Sequence, residues 1–257
     1  MTEQDILDML DSDELPKLEE EEKPSPKPST YSNERQDDRK SFNSNRESPW
    51  DSKNIKPKKV DISAFNKTGR SFAIYYNGEN NCIPDKDMED KLIKIATALV
   101  KKEFTFRHNH SENDSTINKV LAIPDIKIDS YLPWGSFNKN MIRPKMKRAN
   151  WSGYSAAMGI RNKYLDLPPT VRAIIAAECN TILGEKITDP VDLILVYCKG
   201  GYESKGKDVD YKKIGNLGTI FDIAKEAMIP VFNIEQEDVV DRLKEFILSI
   251  TDKKNIG

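Results

Sequence analysis

From residue 71 onward the apolar positions switch between two rhythms. Leu193-Ile-Leu-Val196 is an unbroken aliphatic run. It is too short for a free-standing helix and lacks the alternation of a half-solvated strand, so it predicts a parallel strand covered on both faces. A glycine-bearing loop follows, then a helix over residues 219–227 with Ile220, Ile223, Ala224 and Ala227 on one face, then a second buried strand entered at Pro230. Strand, loop, helix and strand in this order predict the centre of a parallel sheet.

The same switching extends over the preceding 120 residues. Residues 71–77 predict a first strand that ends in a turn at 78–81, and residues 86–102 a helix with Met88, Leu92, Ile95, Ala96 and Leu99 inward. Residues 105–107 predict a short strand, 108–114 a polar loop, 115–121 a helix and 126–132 a third strand. The segment 168–183 is a helix with proline at its start and Gly184 at its close. After a last strand over 231–234, residues 237–250 predict a terminal helix with Val240, Leu243, Phe246 and Ile247 inward. The expected fold class is α/β, an open, mostly parallel sheet with helices on both faces, occupying residues 69–257 as one domain.

Residues 1–68 read differently. The first 23 are acidic, with a short stripe of Ile6, Leu7 and Leu10 at helical spacing. They predict either a solvated tail or a short motif that folds on a protein partner. Residues 24–59 are rich in Pro, Ser, Asn and Lys and poor in branched aliphatics, so they cannot bury enough apolar surface to offset the ordering entropy. The expectation is a disordered tail, acidic and then basic, with 54–60 either a linker or a phosphate-attracting run.

The net charge of −2 excludes a globally basic binder. Three widely spaced cysteines and two histidines form no disulfide framework or metal-ligand cluster, so neither a metal nor a cofactor is expected. No apolar run reaches membrane-spanning length and the acidic start lacks a signal-peptide pattern, which predicts a cytoplasmic protein with no membrane partner and leaves homo-oligomerisation open.

Candidate chemistry falls in the loops after the strands, where parallel sheets bind ligands. Gly200 and Gly201 follow the central strand, and Gly215, Gly218 and Thr219 open the next helix, where a phosphate fits the positive end of the helix dipole. A plain βα turn that binds nothing is the alternative. Gly78 ends the first strand, while Arg107, His108 and Asp114 bracket the second loop; they predict either ligand contact or a solvated loop. Trp134 stands in an aromatic pair around Gly135, suited to stacking on a base or to covering the sheet end. Lys139, Arg143, Lys145, Lys147 and Arg148 run into Trp151 and Tyr154. That interleaving suits single-stranded nucleic acid, with a polar lid as the alternative.

Taken together, Tyr75-Tyr-Asn-Gly78, Phe106-Arg-His-Asn-His with Asp114, Tyr131-Leu-Pro-Trp-Gly-Ser-Phe-Asn138, Ile182-Leu-Gly184, Pro190-Val-Asp-Leu-Ile-Leu-Val196 and Ile229-Pro-Val-Phe-Asn233 resemble the Rossmann-like SLOG superfamily, which contains the DNA-processing Smf proteins and the Lonely Guy phosphoribohydrolases. The likeness spans residues 71–236 and is greatest to small Smf-like proteins of phages and prophages. It implies a non-catalytic protein that binds a nucleotide or single-stranded nucleic acid at the carboxyl edge of the sheet, in a host cytoplasm if phage-encoded. Phosphoribohydrolase relatives carry Gly-Gly-x-Gly-Thr-x-x-Glu. Gly215-Asn-Leu-Gly-Thr-Ile-Phe-Asp222 matches it at Gly215, Gly218 and Thr219, with Asp222 in place of the glutamate. The likeness therefore implies, as an alternative, an N-glycosidic hydrolase with Asp222 catalytic; the acidic tail, which the likeness does not cover, suggests a further one, an adaptor that recruits a host or replication protein through its tail.

Overall fold

The protein is described by a computed structural model over residues 56–76, 84–111, 113–134, 137, 146–205 and 214–252. Six strands form one sheet: β1 (Ser71–Tyr76), β2 (Thr105–His108), β3 (Lys127–Leu132), β4 (Met146–Arg148), β5 (Leu193–Tyr197) and β6 (Val231–Asn233). Their spatial order is β4-β3-β2-β1-β5-β6, and every pairing is parallel. The chain winds outward from β1 to β4, then returns to the other side of β1 to lay down β5 and β6. The expected α/β class is thus observed, and the reversal between β1 and β5 is a topological switch point.

Among the described residues, six α-helices cover the two faces: α1 (Lys86–Lys101), α2 (Ser115–Leu121), α3 (Trp151–Ile160), α4 (Pro169–Leu183), α5 (Leu217–Glu226) and α6 (Val239–Asp252). The period-2 pleat divides the core between them. Phe72, Ile74, Phe106, Leu193 and Leu195 point into a cluster with Leu92, Leu99, Ile117, Val120, Val239 and Leu243 from α1, α2 and α6. Their sequence neighbours Ala73, Tyr75, Ile194 and Val196 point the other way, against Ala156 and Ala157 of α3, Ile175, Cys179 and Ile182 of α4, and Ile220 and Ile223 of α5. Burial on both faces is why β5 is aliphatic without alternation.

Two stretches carry structure that the sequence pattern did not predict. The basic and aromatic segment, expected to be a nucleic-acid surface or a lid, contains regular structure: residues 146–148 form edge strand β4 and residues 151–160 form α3. Asn150 caps α3 by accepting from the Gly153 amide, and its own amide donates to Asn180 of α4. Residues 56–68, assigned by composition to the tail, lie along the domain. The Lys58 amide donates to the Ser155 carbonyl, the Ser155 hydroxyl to the Lys56 carbonyl, and the Asn66 amide to the Thr188 carbonyl. Val60 and Phe65 pack on the α3–α4–α5 core, and so few anchors in a polar stretch do not register in its composition.

α3 and α4 meet closely because small residues line the contact. A Cβ built on Gly153 would stand 2.5 Å from the Ala176 carbonyl oxygen and collide with the Asn180 side chain. Gly153→Ala is therefore expected to lose about 2 kcal/mol, the overpacking cost exceeding the gain in helix propensity. Urea unfolding measures it, and a neutral or stabilising effect would contradict the described packing.

Candidate functional site

A cleft of about 430 Å³ opens between the end of α3 and the face of α5 that runs from Gly218 to Glu226. Its lining includes Arg161, Asn162, Lys205, Gly218, Thr219 and Asp222. Arg161 follows the last residue of α3 and points across the gap. Its Nη1 donates to the Thr219 hydroxyl at 2.6 Å, so this guanidinium is held in place by a neutral acceptor. The Lys205 ammonium lies 2.5 Å from an Asp222 carboxylate oxygen. A Cβ on Gly218 would come within 3.1 Å of the Lys205 side chain, so the glycine lets that cation lie directly over the turn.

The helix start does not present the amides that its glycines suggest. Gly215 has φ +44°, and the Gly218 and Thr219 amides donate back to the carbonyls of Gly215 and Asn216, at 3.2 and 3.1 Å. These two donors are used by the turn itself. The charged side chains that line the cleft are Arg161, Lys205 and Lys225 together with Asp222 and Glu226. A guanidinium engaged through one Nη keeps further donors in a planar fork, the geometry that suits phosphate or carboxylate oxygens.

Glu178 of α4, which does not line the cleft, is 8 % exposed, with no hydrogen-bond partner at Oε2. Burial pushes its carboxyl up to about 8, against the opposing pull of Arg161. Tyr75 of β1 and Cys179 feel this carboxyl as well, and burial drives both far above their ordinary ranges.

The other predicted site residues are dispersed. Arg107 is 4 % exposed and turned toward the amino edge of the sheet, donating to the Asp189 carbonyl at 2.5 Å and the Asp189 carboxylate at 2.6 Å. That position ties β2 to the connection before β5 and does not line the cleft. His108 is buried, stacked on Phe106, with Nε2 2.8 Å from the Ser130 hydroxyl. Asp114 caps α2 through the Ile117 amide, accepts from the Tyr76 hydroxyl and pairs with His110 at 3.3 Å. Burial raises the Asp114 carboxyl, but His110, Tyr76 and the amide outweigh it and hold it below its usual value. These residues form a separate polar cluster at the ends of β1 and β2.

Gly200 and Gly201 both have positive φ, at +99° and +68°. The Gly201 amide donates to the Glu235 carboxylate at 2.7 Å and its carbonyl accepts from Gln236, so an internal anion occupies the place offered to a ligand. Trp134 packs edge-on against Phe137. Lys147 pairs with Glu185 at 2.9 Å and lies over the Tyr131 ring, whereas Arg148 is exposed and Trp151 is 43 % exposed. Gly78, Lys139, Arg143, Lys145 and the tail motif in residues 1–23 lie outside the described residues.

Sequence reading missed Arg161, Lys205 and Glu178. A signal for the first was available, because Arg161 and Asn162 directly follow an alanine- and glycine-rich apolar segment that ends in Ile160. Among the described residues no cluster of metal-ligating side chains is present, and no helix is long and apolar enough to cross a membrane. Comparison with protein-family models, with curated proteins and with solved structures finds no match.

Proposed function

We propose that the protein binds a phosphate-bearing ligand, a nucleotide or the backbone of single-stranded nucleic acid, in the cleft between α3 and α5, as a Smf-like binding protein. The observation that carries this reading is the Arg161 guanidinium, held on the Thr219 hydroxyl in a polar cleft. The Gly-x-x-Gly-Thr resemblance supports it, since Gly218 and Thr219 both line the cleft. Exposed Arg148 and Trp151, a cation and a ring on neighbouring elements, support the single-stranded arm.

The test is equilibrium binding of nucleoside 5′-monophosphates and of a labelled single-stranded oligonucleotide, with Arg161→Ala alongside. The variant is expected to bind about tenfold or more weakly, and oligonucleotide retention to fall with salt. The reading fails if neither ligand binds nor shifts the melting temperature. Asp222 lines the same cleft, so free base is assayed in the same incubations; its release, abolished by Asp222→Asn, would favour the N-glycosidic hydrolase.

A further inference from the structure

We infer that the groove at the amino ends of β1, β2 and β3 is a second anion site, which takes a ligand carrying two or more linked phosphates through Arg70, Thr105 and Lys127. This goes beyond the cleft reading, because the groove, of about 520 Å³, shares no lining residue with the α3–α5 cleft. Strand register sets the row. Thr105, the first residue of β2, pairs with Ser71 of β1 on one side and with Lys127 of β3 on the other, and the Arg70 carbonyl accepts the Thr105 amide at 2.9 Å. Neighbouring strands lie about 4.8 Å apart, so the row spans about 10 Å, which is room for a chain of linked phosphates. Lys102, just past the end of α1, adds a third cation to the lining, against Glu103 alone.

These cations are left to a ligand because the carboxylates at this edge are already engaged. Asp192 accepts from Lys67 at 2.6 Å and from the Ser71 amide at 2.8 Å, and Asp189 accepts from Arg107 at 2.6 Å and from Thr68 at 2.8 and 3.1 Å. The Arg70 guanidinium rests instead on the Phe104 ring, 5.8 Å from its centroid, so an aromatic face positions it and its donors stay open. Among the described residues neither Arg70 nor Lys127 forms an ion pair, and the Thr105 hydroxyl forms no hydrogen bond. Guanidinium, hydroxyl and ammonium in one row are a donor set for phosphate oxygens. Phe104 is only 1 % exposed, so its ring offers no free face to a base and recognition is confined to the phosphates.

Inorganic pyrophosphate is the probe, titrated calorimetrically at constant ionic strength into the full chain carrying Arg161→Ala, which weakens the cleft. Binding is expected to persist in that variant, and addition of Arg70→Gln with Lys127→Gln to weaken it about tenfold or more. A nucleoside diphosphate should bind there no more tightly than pyrophosphate, since the base has no ring to stack on. Limited acetylation of the unaltered chain, read by mass spectrometry, keeps the test independent of how the variants fold: pyrophosphate should protect Lys127. Loss of all pyrophosphate binding in Arg161→Ala, an affinity unmoved by the two glutamines, a tighter nucleoside diphosphate, or an unprotected Lys127 would overturn the inference. None of these results removes the cleft reading, which fails only if the nucleoside monophosphates and the oligonucleotide do not bind.

Discussion

Glu178→Gln is expected to stabilise the protein by about 2 kcal/mol at pH 7 and to flatten its stability between about pH 5 and 8. The carboxyl sits inside the α3–α4–β1 core with Oε2 unpartnered, and burial raises it from 4.5 to about 8. In that interval the folded chain holds a proton that the unfolded chain has released, so stability is full below the unfolded value and declines as pH rises toward the folded one. At pH 7 the titration alone costs about 3 kcal/mol. An amide side chain removes this cost but places a second polar group in the same poorly partnered position, which returns about 1 kcal/mol. Urea unfolding at pH 5, 7 and 8.5 is the measurement. Parallel decline of the two proteins with pH would show that Glu178 does not carry the slope.

Arg107→Met is expected to lose about 3 kcal/mol while leaving the binding of nucleoside monophosphates unchanged. Methionine replaces much of the stem but none of the guanidinium. Removing the charge leaves the Asp189 carbonyl without this donor and the Asp189 carboxylate with only its bonds from Thr68; the two groups lie 2.5 and 2.6 Å from the two Nη atoms. For Asp189 itself, burial raises the carboxyl, but Arg107 and the bonds from Thr68 prevail and hold it below the ordinary range. A carboxyl lowered in this way contributes stability above its unfolded value and loses it as pH falls through the folded one. The deficit of the variant should therefore narrow in acid. Unfolding at pH 7 and pH 3.5, with calorimetry for ligand affinity, separates the outcomes, and a selective loss of nucleotide binding would return Arg107 to a ligand role.

The two substitutions separate what local pattern conveys from what it cannot. Strand assignments were legible because burial on both faces demands continuous aliphatic runs, as in Leu193-Ile-Leu-Val196, and the helices because α1 and α6 repeat apolar residues on one face. α3 was harder to read. Its sequence, Trp151-Ser-Gly-Tyr-Ser-Ala-Ala-Met-Gly-Ile160, has little amphipathic contrast, and its packing depends on small residues meeting α4. Residues 56–68 escaped for a related reason: their anchors are backbone hydrogen bonds to Ser155 and Thr188, which do not depend on side-chain pattern.

The candidate site was legible only in part. Gly218, Thr219 and Asp222 are close in sequence and open one helix, so their shared cleft follows from local structure. Arg161 is brought there by the end of a separate helix, α3. Arg107 shows the opposite case. Its position in β2, just before the polar loop, suggested a ligand contact, yet its long side chain runs back along the strand to Asp189, and side-chain direction is not written in residue order.

Hydrophobic period and local backbone freedom are enough to specify a parallel α/β sheet, the amphipathic helices over it and the glycine turn after β5. Which charges are spent and which face the cleft is set by packing. Arg107 is bound to Asp189, Lys205 to Asp222 and the Gly201 amide to Glu235, while Arg161 rests on the Thr219 hydroxyl. The reason is physical: an ion pair or an orphaned polar atom is defined by distance and burial between residues tens of positions apart, and these arise only when the chain has packed.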